Sequence, residues 1–301
     1  MFDKGRAPGG RVASRLTEHG SFDHGAQYLT CKTHRFDAEV QRWQLAGAVA
    51  PWRGRLVAFD RKRVIEDPLG AERYAGVGGM QGIGRLLAQD LDLVRETRIV
   101  ALDRRGAAWQ VRDEQNKVVA LRGFDAVVLA MPSPQAVELL HGHSPIAEIA
   151  AGVAWEPCWT AMLAVDKPTG ADFEAAFISD DPILGWISRD DRKPQRQAVP
   201  GVAERWVLHA RARWSRRYLE LPPLQAAQWL ARSFSARIGH AVSALSLTGH
   251  RWRYCAPTRP LPQPFLWDPQ QKLGATGDWF DDPRVEGAWL SGTLLAEEIL
   301  R

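Results

Sequence analysis

Cysteine is scarce in this chain of 301 residues: Cys31, Cys158 and Cys255 stand far apart and form no C-x-x-C pair. That spacing supplies neither a disulfide framework nor a structural zinc site, and a reducing cytoplasm is the expected location. Long apolar runs are missing as well. The cleanest stretch, residues 126–131, falls far short of the ~18 residues that a membrane span needs, so no membrane partner is expected. The opening residues Met1-Phe2-Asp3-Lys4-Gly5-Arg6 put charge and glycine where a secretory signal requires an apolar core. Lysine is the third shortage, with 7 among the 39 basic residues. Arginine pairs bidentately with phosphate and carboxylate, so this bias points to an anionic ligand. The basic residues are scattered and form no basic helix or zinc knuckle, so nucleic acid is not an expected partner.

What remains is ordinary globular material. With 45% hydrophobic and 25% charged residues, the chain is not disordered, collagenous or coiled coil, and its length suits two domains. The dinucleotide-binding turn G-x-G-x-x-G does not occur. Gly76-Val77-Gly78 comes nearest, but Gln81 stands where the third glycine belongs, and no buried parallel strand precedes the cluster. Residues 76–84 therefore read as a flexible turn into a helix that runs to about Asp90.

Periodicity marks the other elements. Met1-Phe2-Asp3 reads as the tip of a strand, followed by a Gly- and Arg-rich loop over 4–15 and a turn-like stretch over 22–28. Phe36, Val40 and Trp43 recur at helical spacing and predict a helix over 33–45. Short strands are expected within 51–74. Residues 98–102, 108–112 and 118–121 predict a three-stranded meander. Residues 124–130 lack polar alternation, the pattern of a strand covered on both faces in a parallel sheet. Beyond residue 150 the chain carries ten of its thirteen tryptophans, with strands expected over 159–165, 206–212 and around Trp252, and a helix over 223–238. A strand and turn over 273–279 and a helix over 287–300 close the chain. The tryptophans either line a pocket or fill a core.

No catalytic triad, paired acid–base carboxylates or metal cluster stands out. The eight histidines lack ligand spacing, and His141 and His143, two residues apart, would not share a helix face.

Three stretches carry a likeness. They are residues 2–11, with Asp3-Lys4-Gly5-Arg6 and Gly9-Gly10-Arg11; Phe22-Asp23-His24-Gly25-Ala26-Gln27-Tyr28; and Gly277-Asp278-Trp279 followed by residues 285–292. Lys193-Pro194-Gln195-Arg196 and Trp214-Ser215 add to them. Together they resemble the bacterial renalase-like, FAD-dependent oxidoreductases of the amine oxidase superfamily. The resemblance implies an α/β fold: a Rossmann-like FAD-binding domain from residues 1–50, 76–135 and 266–301, and an inserted α+β substrate domain with an antiparallel sheet from 51–75 and 136–265. It implies FAD as cofactor. Asp3 would accept from the adenosine ribose, with Lys4 beside it; Arg11 would approach the pyrophosphate. Gln27 and Tyr28 would lie near the flavin ring, and Val100 would meet the adenine through its backbone. Asp278 would bind the ribityl or phosphate end, and Ala288 and Ser291 would bring helix amides towards the flavin. Gly79, Met80 and His250 would belong to the substrate pocket.

Read alone, Asp3 is equally a surface acid, Arg11 a loop ion-pair partner, Asp278 a turn residue or helix cap, and His250 a structural histidine. The implied chemistry is hydride removal from 2- or 6-dihydro isomers of NAD(P), with oxygen reduced to hydrogen peroxide. The flavin carries that step, so no catalytic side chain is required. The partners are then a small-molecule substrate and molecular oxygen. A flavin amine oxidase acting on a small amine and a non-catalytic binding protein are the alternatives. The ribose-binding acid sits about 20 residues after the glycine turn. With Asp3 in that role the turn falls before residue 1, which suggests either a start assigned too late or a shortened chain.

Overall fold

The computed structural model describes residues 1–61 and 63–301. Lys62, in the segment read as short strands, lies outside the described residues. The chain forms two compact units. One is built from Met1–Pro8, Ala88–Trp155 and Ala256–Arg301, the other from Gly9–Leu87 and Glu156–Cys255.

The second unit is organised by a seven-stranded sheet. Its order is Ser246–Pro257, Trp155–Val165, Glu204–Ala210, Leu184–Arg189, Ala175–Ile178, Leu56–Asp60, Arg63–Glu66. From Trp155–Val165 to Arg63–Glu66 the neighbours pair antiparallel, except Ala175–Ile178 with Leu56–Asp60, which is parallel. Trp159, Ala161, Leu163 and Val165 alternate onto one face and pack with Ala226, Ala227, Leu230 and Phe234 of the helix Pro223–Ile238. This helix starts on a proline, whose missing N–H costs nothing there, and stops at Gly239 with φ +87. Met162, Ala164 and Val207 use the other face to cover Phe22. Phe22 belongs to a hairpin, Ser14–Thr17 with Gly20–Asp23, that takes in the last two residues of the expected loop and the first two of the turn-like stretch.

The helix predicted over 33–45 forms as His34–Leu45. Thr33 caps it, its hydroxyl accepting the Phe36 N–H at 3.2 Å, and Phe36, Val40 and Trp43 are buried.

In the first unit, Val127–Leu129 pairs in parallel with Leu273–Ala275, which pairs with Leu266–Asp268. The hairpin Ile99–Arg105 with Ala108–Asp113 and the helices Ser133–Leu140 and Ile146–Ala151 enclose a core containing Trp109, Leu139, Leu140, Trp279 and Phe280. Two expectations fail here. The third meander strand over 118–121 does not form beyond a single bridge from Val118 to Arg112. The Asp113 carboxylate draws in the Gln115 and Lys117 amides at 3.0 and 2.9 Å and turns the chain instead. The strand over 124–130 shortens to Val127–Leu129 and is not covered on both faces, for Val128 is 43% exposed while Leu129 is buried. It is an edge strand of a three-stranded sheet.

Candidate functional site

A buried charge cluster lies at the centre of the second unit. Asp23 ends the strand Gly20–Asp23, where Phe22 and Asp23 alternate to opposite sides. Its carboxylate accepts the Ser14 hydroxyl at 2.6 Å and the Met80 N–H at 2.9 Å, so it caps the turn into the helix Gln81–Ala88. Lys193 Nζ lies 3.2 Å from Asp23 and 2.8 Å from Asp190, and Arg196 pairs with Asp23 from the same loop. None of these four side chains is more than 1% exposed. Burial opposes ionisation of Asp190, but Lys193 and Arg196 outweigh it and hold the carboxyl below the usual range. Two carboxylates and two cationic groups thus face one another in a site closed to solvent.

Gln27 is tied into this cluster. Its carbonyl oxygen accepts from Ser188 at 2.5 Å and Lys193 at 3.0 Å, and its amide donates to the carbonyls of Gly25 and Asp23. Gly25 is required by close approach, because a Cβ there would stand 2.0 Å from the Arg11 carbonyl oxygen. That same carbonyl accepts the Ala26 N–H at 2.8 Å, and the Arg11 guanidinium donates to the Cys255 carbonyl at 3.1 Å. Gly79, with φ +151, leaves room for Ser14 and Arg196.

An aromatic group adjoins the cluster. Tyr28 lies with its ring 5.6 Å from Trp186 and 6.1 Å from Trp52, and Lys193 stands 5.5 Å from the Trp52 ring centre. The indole N–H groups of Trp52 and Trp186 are buried with no acceptor among the described residues. His250 is placed elsewhere in the unit. Its ring packs edge-on to His24 at 4.7 Å and to Trp252 at 4.4 Å, and Arg15 reaches its Nδ1 at 3.2 Å. Burial, then the neighbouring His250 and Arg15, lowers His24 to about 3; burial and Arg15 lower His250 to about 4; burial and Lys193 lower His209 to about 4. All three are neutral at pH 7.

The remaining candidate residues belong to the first unit. Asp3 is half-buried, and its Oδ1 accepts the Gly5 N–H at 2.8 Å. Lys4 is exposed and donates to Gln135 at 3.0 Å. Val100, 41% exposed, sits at the irregularity between Ile99 and Ala101. Ser291 is buried on the helix Val285–Ile299, bonded to Thr276 at 2.7 Å and accepting the Gly277 N–H at 3.1 Å. Asp278 follows directly, and Ala288 lies in the first turn of the same helix. Asp3 Oδ2 has no partner among the described residues. The helix Val285–Ile299 starts shortly after Asp278, with the Gly277 N–H given to Ser291 and the Ala288 N–H to the Arg284 carbonyl.

Sequence reasoning named Gln27, Gly79 and Met80 but passed over Asp23, Asp190 and Ser188 as site residues, and used Lys193 and Arg196 only as marks of likeness. Asp23 accepts bonds from both Ser14 and Met80, a role that its own neighbours in sequence do not reveal. Among the described residues no group of three or more His, Cys, Asp or Glu could hold a metal, and no helix is long and apolar enough to cross a membrane.

No known family profile matches the chain. Renalase from Mus musculus is 20% identical over 334 aligned residues, covering 100% of this chain and 90% of that protein. A protoporphyrinogen-oxidase-type protein from Exiguobacterium sp. 255-15 superimposes with a TM-score of 0.74 at 11% identity, covering 99% of this chain and 92% of that one. Cyclohexylamine oxidase from Brevibacterium oxydans gives 0.68 at 11% identity, over 100% and 93%. The chain shares the fold of these two solved structures. Within this fold the renalase likeness runs the length of the chain.

Proposed function

We propose that the chain is an FAD-dependent oxidase of dihydronicotinamide nucleotides, the 2- and 6-dihydro isomers of NAD(P). When bound, FAD supplies the two-electron acceptor: a hydride leaves the dihydronicotinamide ring to give NAD(P)+, and oxygen takes the electrons as hydrogen peroxide. By the resemblance, Asp3, Lys4, Arg11, Gln27, Tyr28, Val100, Asp278, Ala288 and Ser291 would hold the cofactor, and Gly79, Met80 and His250 would face the substrate.

The observation that carries the reading is the aromatic group of Tyr28, Trp52 and Trp186, with two buried indole N–H donors lacking acceptors. Such donors suit a planar neutral ring bearing a carboxamide carbonyl, because an unmade buried hydrogen bond costs about 1–3 kcal/mol. An ammonium substrate suits it less, since Lys193 already places a cation against Trp52. The chain's own groups then orient and exclude water. The charge cluster fixes Gln27, and the neutral histidines His24, His209 and His250 add no charge.

An oxidase assay tests this. The full chain supplied with FAD should consume 2- and 6-dihydro-NAD(P) with formation of hydrogen peroxide and leave primary and secondary amines untouched. Amine turnover would replace this reading with an amine oxidase. A chain that stays colourless with FAD would replace it with a binding protein.

A further inference from the structure

Arg205 occupies an unusual position for an arginine. It lies in the strand Glu204–Ala210, opposite Ala164 in the interior of the seven-stranded sheet, and is 2% exposed. Its side chain donates from Nη2 to the Gln197 carbonyl at 3.1 Å, its Nε has no partner, and its guanidinium makes no ion pair among the described residues. Gly20, with φ +103, packs over it; a Cβ there would stand 2.8 Å from Nη1. A buried guanidinium without an anion is costly, and proteins ordinarily pair it.

The space beside it explains what is missing. A pocket of about 140 Å³ is lined by Arg192, Arg196 and Arg205, with Asp191, Gln197 and Val202 among its other walls. Arg196 has spent its outer nitrogens on the charge cluster, Nη2 on Asp23 and Nη1 on Ser21 at 3.4 Å, while its buried Nε has no partner. Arg192 lies at the rim with its side chain 57% exposed. The carboxylate of Asp191 is already engaged: Oδ1 accepts the Arg205 N–H at 2.7 Å and Oδ2 the Arg189 Nε at 3.2 Å, with Arg192 Nε 4.0 Å away. The pocket wall thus holds three guanidinium groups and one occupied carboxylate, Asp191; Arg196 is already paired with Asp23, and the Nε donors of Arg196 and Arg205 are unused. Burial lowers the Arg205 pKa, with Asp191 and Asp190 only partly restoring it, as expected of a cation short of a counter-charge.

We propose that this pocket is an oxyanion site that takes a phosphoryl group, held by Arg205, Arg196 and Arg192. Planar guanidinium forks match phosphate oxygens, and a dianion would supply the charge that Arg205 lacks. The inference does not depend on the oxidase reading. It concerns a pocket behind the charge cluster of the second unit, joined to it by Arg196, whose two ends face the two sites.

Calorimetric titration of the full chain in chloride buffer of constant ionic strength tests it. Inorganic phosphate should bind saturably with one site per chain, and Arg192→Gln and Arg205→Gln should each weaken binding at least about tenfold. Arg192 is exposed, so its variant keeps the test valid if the Arg205 variant does not fold. Adenosine 2′-monophosphate, run against adenosine, separates the two sources: tighter binding than inorganic phosphate assigns the site to a phosphomonoester, and weaker binding to the free ion. No saturable heat with phosphate, or equal binding in wild type and Arg192→Gln, would overturn the proposal and leave the arginines merely hydrated.

Discussion

Lys193 Nζ stands 2.8 Å from Asp190 Oδ1, three residues apart in sequence, and neither side chain reaches solvent. The second carboxylate facing this ammonium, Asp23, comes from 170 residues away. Breaking a buried pair by removing one charge strands the other in a medium that solvates it poorly.

Asp23→Asn should accordingly destabilise the chain by about 3–5 kcal/mol, read from urea denaturation. The double variant Asp190→Asn with Lys193→Met should cost less than the sum of its two singles, because it removes both members of one pair. Additive losses would mean that the two charges do not sense each other.

Acid should unfold this chain through its histidines. His24, His209 and His250 have folded-state values below the ordinary 6.5, so the unfolded chain binds more protons as the pH falls. Their contribution is present above about 6.5 and is lost as the pH falls towards 4 and then 3. His209, held at about 4, should account for roughly 2–3 kcal/mol of that loss. The check is Tm against pH for wild type and His209→Gln, which should show a flatter slope between pH 6.5 and 4.

Thr33→Ala should cost about 1 kcal/mol through loss of the cap on the helix His34–Leu45, and Thr33→Ser should retain most of it. Thermal unfolding followed by circular dichroism distinguishes the two.

Gly25→Ala forces a Cβ to within 2.0 Å of a backbone oxygen, so the loop has to move. A loss of more than about 2 kcal/mol is expected. Gly152→Ala, whose Cβ would meet nothing nearer than 3.4 Å, should stay within about 0.5 kcal/mol.

If Asp3 holds the ribose, Asp3→Asn should weaken FAD binding about ten- to hundredfold, the range of one charge-assisted hydrogen bond. Quenching of flavin fluorescence measures it. Unchanged affinity would remove Asp3 from the cofactor site.

Local signals were legible in the sequence where the physics is local. Phe36, Val40 and Trp43 announce their helix by spacing, and the helix Pro223–Ile238 is bounded by a proline and a glycine. The strand Val127–Leu129 misled because an apolar run shows that residues avoid water, not how many sides a neighbour covers; Val128 is exposed. Residues 118–121 have strand-like composition, yet Asp113 captures the amides ahead of them. The charge cluster was the least legible part. Asp23, Asp190, Lys193 and Arg196 each look like a solvated surface charge, and only tertiary pairing removes them from water. Of the likeness residues, Asp23, Lys193 and Arg196 meet in this cluster, which nothing in their local sequence announces.

The parallel pairing of Ala175–Ile178 with Leu56–Asp60 has a consequence for synthesis. Leu56 and Val57 become buried only when Ala175 and Ala176 lie beside them, so a ribosome must add more than a hundred further residues before this edge can close. At about 5–20 residues per second the apolar edge stays open for several seconds or longer. Newborn chains of this protein therefore depend on whatever shields an unpaired strand during that interval.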